Sequence, residues 1–138
     1  MTNIDFSKSL STTDKRTAEN AHIKGLLAHH RWHAETQGIP WRNGLILQSG
    51  RDARAAMQVA LAQFRMFRGP RAIWWKCANG WDQMNKRALI RALRLVQHHA
   101  QSCFETERRL SAELDQGLNL RTAEVSKAFA SALAQIRK

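Results

Sequence analysis

Several residue types and patterns are missing from this 138-residue sequence, and each absence excludes a class of protein. There is no tyrosine, and the only cysteines are Cys77 and Cys103, which is typical of a protein of the reducing cytoplasm. No stretch approaches the ~18 to 20 consecutive apolar residues of a transmembrane helix. The opening MTNIDFSKSL lacks the apolar run of a signal peptide. We therefore expect a cytoplasmic protein without a membrane partner.

Motifs of catalysis are missing as well. The chain has no glycine-rich phosphate loop, no HExxH zinc motif and no catalytic pair of carboxylates. His29 and His33 lie four residues apart, as do His99 and Cys103, and this spacing suits two zinc ligands, but nothing completes a familiar motif around either pair. We therefore interpret these histidines as partly exposed polar residues rather than metal ligands, and Cys77 as a buried or half-buried thiol. The sequence predicts a protein that is not an enzyme and has no cofactor or metal.

Positive charge is what the sequence has in excess. The formal net charge is +11, and residues 39–99 carry eleven Lys and Arg against two Asp and Glu, whereas the segments before and after are each near neutral. A surface of this sign attracts polyanions, and the concentration in one segment indicates a basic face rather than basic tails.

Hydrophobic periodicity predicts helices in most of the chain. No segment alternates apolar and polar residues over several positions, and only residues 45–47 have the composition of a strand. We interpret residues 39–50 as a loop. We predict an all-α fold: a compact single-domain bundle of about five helices with one long basic amphipathic helix. An irregular N-terminal arm covers residues 1–12 and the helical domain covers residues 13–138. The predicted helices lie at residues 13–36, 51–68, 83–102 with a continuation towards 116, and 122–137, with a short helical turn within 70–80.

The long helix carries a row of basic side chains. Arg87, Arg91, Arg94 and His98 follow one another at steps of four, three and four, which stacks them on one side of a helix. No acidic residue occurs between Asp82 and Glu105. Like charges at this spacing repel, and an anion facing the row relieves the repulsion. The alternative is a solvated face that keeps the protein soluble.

A second set of basic residues begins in the preceding helix. If the two helices pack side by side, their arginines form the walls of a groove for a nucleic-acid backbone, because arginine holds phosphate oxygens in a bidentate manner. The predicted nucleic-acid-binding residues are Arg51, Arg54, Arg65, Arg68, Arg71, Trp74, Trp75, Lys76, Lys86, Arg87, Arg91, Arg94 and His98.

Tryptophan is concentrated in the stretch RGPRAIWWKCANGW, residues 68–81. Aromatic rings beside cations are typical of sites that stack single-stranded bases. Trp74 and Trp75 are adjacent, so on a helix they point about 100° apart and only one of them enters the core. Which of the two is exposed is left open. We expect Trp41 and Trp81 to pack in the core.

These features favour a non-catalytic protein that grips an RNA or single-stranded DNA backbone through an arginine-rich groove, as a small helical subunit of a larger nucleoprotein complex. In length, helicity and charge the chain is similar to the helical small subunits of CRISPR effector complexes, which line a nucleic-acid path without cutting it. This resemblance transfers no residue assignments.

Two other functions are compatible with the same charge. A duplex-DNA-binding regulator of plasmid or phage type has some support in the C-terminal LNLRTAEVSKAFASAL, although this stretch has no glycine-containing turn between two short helices. The other is a protein-interaction module or inhibitor whose basic face docks on an acidic protein.

Overall fold

A computed structural model describes residues 12–66 and 68–137 of the chain. Within them lie four α-helices and two small antiparallel sheets of two strands each, so the prediction of an all-α fold with about five helices is wrong. The helices are α1 (Thr12–Thr36), α2 (Arg51–Phe64), α3 (Lys86–Asp115) and α4 (Val125–Ile136), and short 3-10 helices cover Arg42–Gly44 and Thr122–Glu124. The strands are β1 (Ile39–Pro40) paired with β2 (Ile46–Leu47), and β3 (Ile73–Cys77) paired with β4 (Gly80–Met84).

The β3–β4 hairpin replaces the helical turn predicted between residues 70 and 80. The sequence IWWKC is rich in β-branched and aromatic residues, which favour a strand, and its side chains alternate between exposed and buried positions. The strands are joined by the two residues Ala78 and Asn79, and their register runs from Ile73 opposite Met84 to Cys77 opposite Gly80. The prediction that Asn79 and Gly80 end a helical turn is therefore wrong: Asn79 is the second residue of the hairpin turn, and Gly80 is the first residue of β4.

The two hairpins are hydrogen-bonded to each other. The side chain of Asn79 accepts from the Ile46 N–H at 2.8 Å and donates to the Gly44 carbonyl at 3.0 Å, and the Ala78 N–H donates to the Ile46 carbonyl at 2.8 Å. The predicted loop over residues 39–50 therefore contains a short sheet, and its tip is tied to the β3–β4 turn.

Helix α3 begins at Lys86 because Asn85 caps it. The Asn85 side-chain oxygen accepts from the Ala88 N–H at 2.8 Å, which satisfies one of the unpaired donors of the first turn. We had expected Asp82 to cap this helix, but Asp82 lies within β4 and is buried.

The described residues form two compact units. One contains Arg31–Glu105, and its core is built by residues from both hairpins, α2 and the first part of α3. Leu47, Met57, Met84, Leu89 and Val96 are fully buried there. The candidate interface lies in this unit, which also holds the excess positive charge.

The other unit contains the described residues up to His30 and from Thr106 onward. Lys24 pairs with Asp115 at 2.7 Å, and Asn20 donates to the Leu114 carbonyl at 3.1 Å, so α1 is fastened to the end of α3. The single-domain organisation stays a prediction. Of the predicted arm, residues 1–11 lie outside the described part of the chain and Thr12 already belongs to α1. No helix in the described residues is long and apolar enough to cross a membrane.

Candidate nucleic-acid interface

The first turns of α3 present a basic surface. Ala88, Leu89, Ala92, Leu93 and Val96 are buried, because apolar residues at helical spacing turn one face of α3 towards the core. The opposite face of α3 carries basic side chains. Lys86, Arg87, Arg91 and Arg94, which we call the arginine row, are exposed and surround a depression of about 560 Å³ that also contains Ile90.

The arginine row has no acidic neighbour. Among residues 12–66 and 68–137, no carboxylate lies within ion-pair distance of its four cations. His98, the fourth member of the predicted series, is also exposed. The positive potential of this face is therefore not cancelled locally, and an anion placed here meets several donors at once.

Arg91 is positioned over an aromatic ring. Its guanidinium carbon lies 5.1 Å from the centre of the Trp41 ring, and that of Arg42 lies 5.5 Å from the same ring. Both distances fall within the range of cation–π attraction. Trp41 is half-buried against the core, which confirms its predicted packing, and it therefore offers Arg91 a fixed support.

Asp82 holds this support in place. The Trp41 indole N–H donates to the Asp82 carboxylate at 2.7 Å, and Arg42 Nε donates to the same oxygen at 2.8 Å. Burial alone would raise the pKa of Asp82. The hydrogen bonds from Trp41 and Arg42, the charge of Arg42 and the Gln83 backbone outweigh burial and lower that pKa. Sequence reasoning missed Arg42 and Asp82, because they meet across 40 residues of chain.

Arg51 and Arg54 of α2 have a different environment. Arg54 pairs with Glu35 at 2.5 Å, Arg31 pairs with it at 2.7 Å, and Arg51 lies 3.7 Å from the same carboxylate. The Glu35 side chain is only 1% exposed. Arg51 and Arg54 line a hollow with Gln97 and Gln101, separate from the depression of the arginine row. The structure thus brings the two predicted arginine sets to different hollows.

The remaining predicted basic residues follow α2. Arg65, Arg68 and Arg71 are exposed, and none of them lines the depression of the arginine row. Arg68 adopts a left-handed backbone conformation with φ of 63°, which is uncommon for a residue other than glycine. They belong to the basic surface of this unit without joining the arginine row.

The tryptophans of the hairpin are divided between the two faces. Trp75 packs against the core and Trp74 is 66% exposed, so the open question about this pair is settled. Trp81 is 60% exposed, and our expectation that it packs in the core is wrong. It lies on β4 at an outward position, and Lys76 Nζ is 5.8 Å from the centre of its ring.

The histidine and cysteine pairs give no metal cluster. Within the described residues no group of three or more His, Cys, Asp or Glu side chains is arranged to hold a metal ion. His29 and His33 are exposed. His99 is buried, contrary to our expectation, with its Nε2 2.7 Å from the Ala34 carbonyl oxygen and 3.8 Å from Cys103 Sγ.

Cys77 is the buried thiol that we expected, at the end of β3. Burial, and secondly the charge of Asp82, raise its pKa. A raised pKa favours the protonated thiol, which is the less nucleophilic form.

Comparisons with known proteins give a family without a known function. The family model described as Domain of unknown function (DUF4376) matches residues 18–132, and the chain belongs to that family. No curated protein and no solved structure matches the chain.

Proposed function

We propose that this member of the DUF4376 family is a non-catalytic nucleic-acid-binding protein that holds a sugar–phosphate backbone with the arginine row of α3. In this proposal it acts in the cytoplasm as a small component of a larger nucleoprotein complex. The observation that carries the proposal is the set of exposed cations on one face of α3 with no carboxylate beside them in the described residues.

The spacing of the row suits a polyanion. Arg87 and Arg94 lie seven residues apart on α3, which is about 11 Å along a helix axis. That length covers about three nucleotide steps at the ~3.4 Å rise of one strand of B-form DNA, and fewer steps of a strand whose bases are unstacked. The guanidinium groups can therefore contact successive phosphates, whereas a single small anion would engage only part of the row.

The contacts would favour affinity over sequence discrimination. Arginine pairs with phosphate oxygens through parallel N–H donors, and such contacts carry no information about the bases. Support of Arg91 by Trp41 limits the side-chain freedom lost when a phosphate binds. We therefore expect binding that depends strongly on salt and weakly on sequence.

Charge reversal tests the proposal. The variant R87E/R91E is compared with K15E/K127E, which changes the net charge by the same amount at two exposed lysines outside the arginine row. Binding of labelled single- and double-stranded RNA and DNA is followed by fluorescence anisotropy at several salt concentrations. We expect R87E/R91E to weaken binding at least about tenfold, since each charged hydrogen bond contributes roughly 1.5 to 3 kcal/mol. The control should keep most of the affinity.

The salt dependence gives a second readout. The variant R87Q/R91Q lacks two of the proposed phosphate contacts. The slope of the logarithm of the binding constant against the logarithm of the salt concentration should therefore become shallower by about 1.4 for a single strand. Equal losses in the row and control variants contradict the proposal. Sequence-specific duplex binding favours the regulator alternative instead, and no binding of any oligonucleotide at low salt favours an acidic protein partner.

A further inference from the structure

The outward face of the β3–β4 hairpin carries two tryptophans. Trp74 lies opposite Gln83 and Lys76 lies opposite Trp81, and paired residues of antiparallel strands point to the same side. Trp74 and Trp81 are therefore diagonal neighbours, at about 7 to 8 Å between such positions, which is within reach of aromatic side chains. We call the face formed by Trp74, Lys76, Trp81 and Gln83 the tryptophan face.

This exposure is unusual for so large an apolar side chain. Tryptophan buries roughly 150 to 250 Å² when it packs. Trp75 of the same strand does pack against the core, while Trp74 and Trp81 remain 66% and 60% exposed. Two large rings side by side on the surface indicate a binding surface more strongly than one isolated ring does.

The charge around the tryptophan face selects the ligand. Lys76 belongs to the face and approaches the Trp81 ring. The one acidic residue of the hairpin, Asp82, is buried on the other face, where it binds Trp41 and Arg42. Flat rings next to a cation, with no outward carboxylate on the hairpin, suit a ligand that has flat π-faces and negative charge.

The tryptophan face also lies close to the arginine row along the chain. Only Asn85 separates β4 from α3, and the five residue steps from Trp81 to Lys86 span at most about 18 Å. A ligand that occupies both surfaces must offer phosphates and unstacked bases within a short distance. The bases of a duplex are stacked inside it, so only a single strand offers both.

We infer that Trp74 and Trp81 form a stacking platform for unpaired bases of the strand whose phosphates the arginine row holds, which makes single-stranded nucleic acid the ligand class. This inference rests on the proposed function. Trp75, which we had assigned to the site, supports the hairpin from the core side, and Trp81 takes its place as a base-contacting residue.

The experiment distinguishes the contribution of the bases to binding from that of the phosphates. The probes are oligothymidylate of about 12 nucleotides and an abasic strand of the same length and charge, with an oligouridylate as the RNA arm. The variant W74T/W81T removes both rings and keeps residues that favour strands. The matched control is W32A, which removes a tryptophan of α1 that is 54% exposed, and thermal unfolding verifies that every variant is folded.

We expect the parent protein to bind oligothymidylate about 30-fold or more tighter than the abasic strand, since each stacked base contributes severalfold. In W74T/W81T this difference should disappear while the abasic strand binds as before, and W32A should resemble the parent. Tryptophan emission should be quenched by oligothymidylate in W32A and not in W74T/W81T. Tighter binding of oligothymidylate or oligouridylate than of the abasic strand supports the platform, and the tighter of the two shows whether DNA or RNA is preferred.

Failure of the platform is distinguishable from failure of the proposed function. If R87E/R91E weakens binding and W74T/W81T still prefers bases to the abasic strand, the platform is wrong and the arginine row stands. If neither strand binds at low salt, the proposed function fails, and the platform with it. A dimer of the parent protein that becomes monomeric in W74T/W81T by analytical ultracentrifugation would show that a second copy covers these rings, which overturns the inference.

Discussion

Two sets of arginines in this protein have opposite environments. Arg31 and Arg54 are largely buried around the Glu35 carboxylate, with Arg51 at the edge, whereas the arginines of the row on α3 are exposed. The first set shares one buried carboxylate inside the unit, and the second faces solvent without a carboxylate within ion-pair distance among the described residues. The same residue type is therefore used for folding in one place and is available to a ligand in the other.

The difference arises from one acidic residue, Glu35, which is close to Arg31 in sequence but distant from Arg54. Glu35 lies 19 residues before Arg54, and the hydroxyl of Ser49 fixes the Glu35 backbone by donating to its carbonyl at 2.6 Å. The sequence of α2 does not show that Arg54 pairs with Glu35, because Glu35 lies in another helix. What an arginine can bind is decided by which carboxylate the fold brings to it.

Removal of Glu35 should have the largest effect on stability. The substitution Glu35→Ala removes the buried carboxylate with which both Arg31 and Arg54 pair, and breaking such a pair costs about 3 to 5 kcal/mol. Urea unfolding measures the loss. Oligonucleotide affinity of the folded variant should stay within about twofold of the parent value, because this set does not belong to the interface. A loss of stability below about 1 kcal/mol would contradict the structural role of the cluster.

Asp82 should show an intermediate effect that depends on pH. Its pKa in the folded protein is lowered from the ordinary value of 3.8, so its stabilising contribution is present above that value and is lost as the pH falls through the folded pKa. Asp82→Asn should cost about 1 to 2 kcal/mol at neutral pH, a figure reduced because Arg42 is 37% exposed.

Unfolding midpoints are compared at pH 7 and at an acid pH below the lowered pKa of the folded protein, which itself lies below 3.8. The variant and the parent should converge at the acid end, since the parent carboxylate is then protonated. A difference that is the same at both pH values would show that the hydrogen bonds of Asp82, and not its charge, stabilise Trp41 and Arg42.

Neutralising the arginine row should have the smallest effect on stability. R87Q/R91Q removes exposed like charges that repel one another, but it also removes the attraction of Arg91 to the Trp41 ring. Because these two effects oppose each other, unfolding in urea should change by less than about 0.5 kcal/mol. Combined with reduced oligonucleotide binding, this result would complete the contrast with Glu35→Ala. A loss above 1 kcal/mol would place these arginines in the fold instead.

The helices were largely predictable and the hairpins were not. The segments 13–36, 51–68 and 122–137 carry apolar residues at helical spacing over several turns, and the observed helices lie within a few residues of these limits. Strand β3 has only five residues, too few for alternation to be recognised, and its burial pattern depends on the partner strand.

The candidate site, like the fold, was predictable only in part. Exposure of Arg87, Arg91 and Arg94 follows from the position of the apolar face of α3, which the sequence contains. The ion pair between Arg54 and Glu35 and the outward position of Trp81 depend on contacts between distant segments. Periodicity within one segment carries no information about such contacts.

The alternation of the β3–β4 hairpin also limits how this segment can change in length. Trp75 is directed to the core and Trp74 away from it because successive residues of a strand point to opposite sides. Inserting or deleting a single residue within β3 would exchange these positions, so that a core residue would become exposed and an exposed ring would point into the core. A change of two residues would keep both assignments. The hairpin is therefore expected to tolerate length changes only in even steps, and its turn is the one place where an odd change leaves both faces intact.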